Sequence, residues 1–222
     1  MLKKSDKQST VALGILAVIL GACTSTTVEE HRDAETGIES HESVVVLGRR
    51  QGSDYETDGD FIDCVGRHIG RGANAISVVP EQEFVDALFP WFEPRTAPLH
   101  TSDLERLMAE EVVAAKIQEF RIRYIIWVDG FTETTDRGGS ISCTIGPGGG
   151  GCFGFGTWED DASFDARVWD VGSLETVGRI STDAIGQSYV PALVVPIPLI
   201  ARVEANACSR LGTQLKDFVN GD

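Results

Sequence analysis

The first apolar run covers residues 11–20, VALGILAVIL, and follows Lys3, Lys4 and Lys7. A membrane-spanning helix needs about 20 apolar residues. Ten behind a positive stretch read instead as the hydrophobic part of a signal peptide over residues 1–22. Residues 24–42 are polar and acidic with no apolar period. They predict a flexible tether from position 23 to 42, ahead of one domain over residues 43–222.

Within that domain the apolar positions mark successive elements. Residues 43–48, SVVVLG, predict a strand. Phe61, Ile62, Val65 and Ile69 recur at helical spacing, and Gly70 and Gly72 stop the helix. Residues 75–79 predict a second strand. Pro80 then opens a helix over EQEFVDALF, residues 81–89. The proline-rich stretch 90–98 predicts a rigid irregular loop. A single long helix is expected from Thr101 or Ser102 to Phe120, with Glu105 placed as in a capping box. The unbroken apolar core of residues 124–128 predicts a central strand covered on both faces. Residues 162–171 and 176–181 predict a hairpin about Gly172 and Ser173. Residues 190–200 are apolar but hold three prolines, which predicts a covered edge segment leading into a helix. Leu199, Val203, Ala207, Leu211, Leu215 and Phe218 mark that last helix. The fold class is therefore α/β (α+β): one domain, a mixed sheet of five or six strands and three to four helices.

Composition adds the compartment. The chain has 222 residues and a formal net charge of −15; removing residues 1–22 takes away three Lys and one Asp and leaves −17. So acidic a chain argues against nucleic acid as partner, because phosphate contacts need a basic surface. About 180 residues remain for the domain, enough for a real core. Besides Cys23 there are Cys64, Cys143, Cys152 and Cys208. In an oxidising compartment four cysteines suggest two disulfides, with three possible pairings. The short glycine-rich segment between Cys143 and Cys152 favours closure there, which leaves Cys64 with Cys208.

Leu20-Gly21-Ala22-Cys23, at the end of the apolar run, resembles a bacterial lipobox. The resemblance implies cleavage before Cys23, acylation of that residue and stable anchoring by several acyl chains. Thr24 in the next position implies the outer membrane, with the domain on its periplasmic face. Two further stretches, EFRIRYIIWVDG and RVWDVGSLETVGRIS, resemble the α/β domain of envelope lipoproteins of the curli-secretion and penicillin-binding-protein-activator type. They also resemble the amino-terminal domain of the Tol-system translocation protein. That resemblance spans residues 43–220. It implies a non-enzymatic binding and assembly module with an envelope protein or a second copy as partner. A secretion channel of this kind builds a barrel from long amphipathic hairpins. The chain shows no ten-residue alternating segment for one, so no pore is expected.

The chain carries few residues arranged for chemistry. The segment CTIGPGGGGCFGFGTW, residues 143–158, lacks the Lys-Ser/Thr ending of a phosphate-binding loop. Its cysteines lack the close spacing of a redox pair or a zinc site. It reads as a stapled loop, with a small-ligand or catalytic loop as the alternative. His31 and Asp33 echo a kinase HRD, without any other kinase signature. His68 and His100 stand alone. Glu159, Asp160 and Asp161 predict a solvated acidic turn and lack the regular ligand spacing of a calcium loop. No catalytic residue, metal ligand or cofactor is assigned. The remaining candidates are aromatic. Phe153, Phe155 and Trp158, and Trp91 with Phe92, are candidate interface residues. For the first cluster, burial against the sheet is the leading expectation.

Overall fold

The computed structural model describes residues 24–49, 57–93 and 96–222. The expected signal peptide and Cys23 lie outside them. Six strands form one mixed sheet in the order β1-β6-β5-β4-β2-β3. In chain order the elements are β1 (Thr24–Arg32), β2 (Ser43–Gly48), α1 (Gly59–Ile69), β3 (Ser77–Val79), α2 (Glu81–Ala87), α3 (Thr101–Met108), α4 (Glu111–Glu119), β4 (Ile122–Gly146), β5 (Gly149–Asp170), β6 (Glu175–Val194) and α5 (Val203–Asn220). The fold is mixed α/β, as the apolar pattern predicts. The chain divides into two compact units.

The larger unit comprises residues 26–132, 162–183 and 204–222. Its centre is parallel, with β2 paired to β3 and to β4. Val44, Val45, Val46 and Leu47 are all buried. Successive side chains of a strand point to opposite faces, so this run needs cover on both. Val45, Leu47, Ile125 and Trp127 pack with Phe84 and Leu88, with Leu104 of α3, and with Val113 and Ile117 of α4. In the remainder of the core, Phe61 of α1 stacks on Phe164 at 3.5 Å between centroids. The Cys64–Cys208 disulfide joins α1 to α5. Gly212 of α5 lies where a Cβ would meet Cβ of His68 at 2.6 Å and the Val65 carbonyl at 3.0 Å. Only a glycine lets the two helices come so close.

Two expectations fail here. The expected tether over residues 24–42 is a strand in its first nine residues and irregular only over 33–42. Thr24–Arg32 forms strand β1, and Asp33 N–H donates to the Val177 carbonyl at 2.9 Å. Arg32 lies over the Phe218 ring at 4.5 Å and donates to Glu30 and to the Asp222 carbonyl. The Tyr124 hydroxyl donates to the Gly37 carbonyl at 2.9 Å. The strand is polar because it is an edge strand whose partners are backbone groups, so no apolar period announces it. The expected long helix is two, broken at Ala109 and Glu110, where backbone bonds of the i to i+3 kind close α3. That break brings the count to five helices among the described residues.

The smaller unit comprises residues 133–161 and 184–203, with Thr24 and Ser25. It is built from the outer parts of β4, β5 and β6, strands of 25, 22 and 20 residues. Long hairpins are thus present where none was expected. The apolar pattern misses them because residues 132–146 are mostly Thr, Ser and Gly, and that stretch of β4 is exposed throughout.

Candidate interaction site

Pro147 and Gly148 turn β4 into β5 at the tip of the smaller unit. Cys143 and Cys152 form a disulfide across this hairpin, with Cα atoms 4.0 Å apart. Nothing lies within 4 Å of the position a Cβ would take on Gly146, Gly148 or Gly149. The glycines therefore form an open turn and not a cradle for a phosphate or other small ligand. At Gly154, φ is +144° and the Ser140 carbonyl sits against the backbone, which excludes any side chain.

Around the tip, apolar side chains face outward. Ile145 is 94% exposed, Phe153 61% and Leu193 79%, and Phe155, Val194, Val195, Ile197 and Ile200 are exposed as well. Ile145, Phe153 and Val194 all border the adjacent Gly150 and Gly151, so the two tips form one patch. Proline chemistry presents the second tip. The segment after β6 folds back on it through the Tyr189 and Leu199 backbone pair, at 2.9 and 2.7 Å, and Ile197 N–H donates to the Pro191 carbonyl at 3.0 Å. Pro191, Pro196 and Pro198 have no N–H to leave unpaired at such an edge. The expected cover is missing: of residues 190–200 only Ala192 is buried.

The aromatic candidates separate. Phe153 and Phe155 face out, against the expectation of burial, because Gly154 and Gly156 occupy the alternate positions of the strand. Phe155 leans on Tyr189 at 6.0 Å. Trp158 is half-buried, and its Nε1 donates to Asp160 at 3.0 Å. Phe92 is no interface residue: it is buried between Phe84, at 4.9 Å, and Trp127, at 6.4 Å. Trp91 packs against the same core. Both aromatics turn inward onto the core formed with Phe84, Leu104, Val113 and Ile117.

The acidic stretch 159–161 is mid-strand and not a turn. Alternating directions keep its three carboxylates from converging on a cation. Glu159 accepts from Gln187 at 3.2 Å, and Asp160 also accepts from Thr134 at 2.7 Å. His68 stands beside the Cys64–Cys208 pair, with the imidazole and both sulfurs within 4.8 Å of one another. The sulfurs are bonded to each other and offer no thiolate. A second concave feature, missed from the sequence, lies just past the end of β2, where Arg49 meets Trp127 of β4. Arg49 follows the buried residues 44–47 and Gly48, but no local pattern in the sequence sets Trp127 beside it.

No protein-family model matches the chain, and no curated protein matches it. Among solved structures it superposes on PelC dodecamers from Paraburkholderia phytofirmans. One, a single-residue variant, gives a TM-score of 0.39 at 11% identity, over 89% of this chain and 100% of that one. Another gives 0.38 at 11% identity, over 86% and 98%. At so low a TM-score these likenesses decide neither fold nor function.

Proposed function

We propose that the protein is a binding and assembly module of the bacterial envelope, anchored in the outer membrane through acylated Cys23 with its folded part in the periplasm. It works through protein contacts and not through catalysis. The observation that carries this reading is the apolar patch at the tips of the smaller unit. Large contiguous apolar patches on a folded surface mark interaction sites. Aromatic side chains such as Phe153 and Phe155 serve as anchors in such contacts. Two disulfides suit the oxidising side of the membrane. The partner is another envelope protein, such as a component of a transport or secretion complex, or a second copy of this chain.

Crosslinking in the native envelope followed by mass spectrometry tests this reading. The parent chain is expected to capture a reproducible partner or to migrate as an oligomer. The double variant Leu193→Ser, Ile197→Ser is expected to lose that species by at least about tenfold while keeping its thermal transition. A Cys23→Ser chain is expected to be released from the membrane. Capture that is unchanged in the double variant would place the interface elsewhere.

A further inference from the structure

The chain leaves β2 for β3 on one side and reaches β4 on the other. In an open α/β sheet the connections part at such a point, and ligands bind in the crevice beyond the carboxyl ends of the strands. Here a cavity of about 180 Å³ lies beyond the carboxyl end of β2 and beside β4 as it continues, lined by Arg49, Trp127, Val85, Asp86, Phe92 and Glu93 among others.

Two N–H groups in its wall have no acceptor among the described residues. Arg49 is 8% exposed and Trp127 4%. Arg49 Nη2 donates to the Leu99 carbonyl at 2.9 Å, but Arg49 Nε and Trp127 Nε1 are buried without partners. The guanidinium stands 5.7 Å from the Trp127 ring centroid. Among the described residues no carboxylate comes within ion-pair distance of it. Burial, with Arg167 nearby, holds its pKa below the ordinary value, and Asp129 offsets this only in part. A buried charge and buried donors left unpaired are costly. The same cavity carries the opposite charge too. Glu93 is half-buried with no side-chain partner among the described residues, and Asp86 accepts from Gln82 at 2.9 Å.

We infer that this cavity binds a zwitterion of amino-acid size with an apolar side chain. Its carboxylate accepts from Arg49 and the Trp127 N–H. Its ammonium lies against Glu93 and Asp86, and its side chain packs on Val85 and Phe92. A bare carboxylate would leave the acidic wall unmatched, and a bare amine would leave Arg49 unmatched.

Calorimetric titration of the whole secreted chain tests it, first with leucine and then with the other apolar amino acids. Two analogues of leucine separate the charges: isocaproate lacks the ammonium and isoamylamine lacks the carboxylate. Leucine is expected to bind at least tenfold more tightly than either. Arg49→Gln is expected to lose leucine by at least tenfold. Glu93→Gln is expected to weaken leucine about threefold and leave isocaproate unchanged. Glu93→Gln keeps the test decisive should Arg49→Gln fail to fold. The inference falls if no apolar amino acid binds, if isocaproate equals leucine, or if Glu93→Gln weakens both alike. The Leu193→Ser, Ile197→Ser chain is expected to bind leucine like the parent, so this inference and the proposed function fail separately.

Discussion

Asp170 shows how much one carboxylate can organise. It ends β5 with its side chain 8% exposed, and Oδ2 meets Arg123 at 2.7 Å. Oδ1 accepts from Gly172 N–H at 2.7 Å and Ser173 N–H at 3.1 Å, which sets the turn into β6. Asp170→Ala removes one ion pair and leaves two backbone donors and a half-buried guanidinium short of acceptors. A loss of about 2–4 kcal/mol is expected in urea unfolding. Glu204 is the opposite case. Burial pushes its carboxyl up, Asp58 and Asp60 add to that, and a hydrogen bond from Thr132 opposes it. The folded state therefore favours the protonated form. The stabilisation is full below the ordinary carboxylate pKa and is lost as pH rises through the raised one. Glu204→Gln is expected to melt about 1–2 °C above the parent at neutral pH and level with it in acid. Its place in the first turn of α5, where the helix dipole favours a negative charge, keeps that gain small.

Between elements, the two disulfides differ by what they enclose. Cys64–Cys208 links residues 144 apart, and Cys143–Cys152 links residues 9 apart. Chain entropy makes the long closure worth more, about 4–5 kcal/mol against about 2–3 kcal/mol. Replacing Cys64 and Cys208 by Ser is expected to shift the main urea transition strongly. Replacing Cys143 and Cys152 is expected to raise hydrogen exchange at the hairpin tip and to shift that transition less. Both pairings were legible in the sequence, one from its short glycine-rich loop and the other by remainder. The central elements were legible as well, since buried strands such as β2 and amphipathic helices such as α1 carry their partners' positions in their own apolar period. Elements held by distant backbone were not. β1 is defined by β6 and by what Arg32 reaches, and the outer part of β4 by its hairpin partner. The Arg49 cavity depends on strand order, which no local pattern contains.

At the scale of the whole molecule, the charge of −17 left after residues 1–22 and the apolar tips set different limits on association. Acidic surfaces repel one another over about 10 Å at 0.1 M salt, and less far as salt rises. Apolar contacts do not depend on salt in this way. If two copies pair through the tips, sedimentation is expected to show the association strengthening from low to moderate salt. Weakening over that range would mean that the copies are held by charge pairs and not by the apolar tips.

The start of β1 has a mechanical meaning. A flexible tether of the expected length would wander about 25 Å from its anchor. Strand β1 instead begins at Thr24, the residue after Cys23. If acyl chains hold Cys23, the slack between lipid and folded chain is one residue, about 4 Å. A body on so short a leash keeps one face toward the bilayer and diffuses in two dimensions at nearly fixed height. So anchored, it would meet partners embedded in or lying on that membrane and would not reach structures farther from it. Inserting a flexible 20-residue linker after Cys23 would restore the reach and leave the fold intact. A module that depends on confinement would then lose its complex with every contact residue in place.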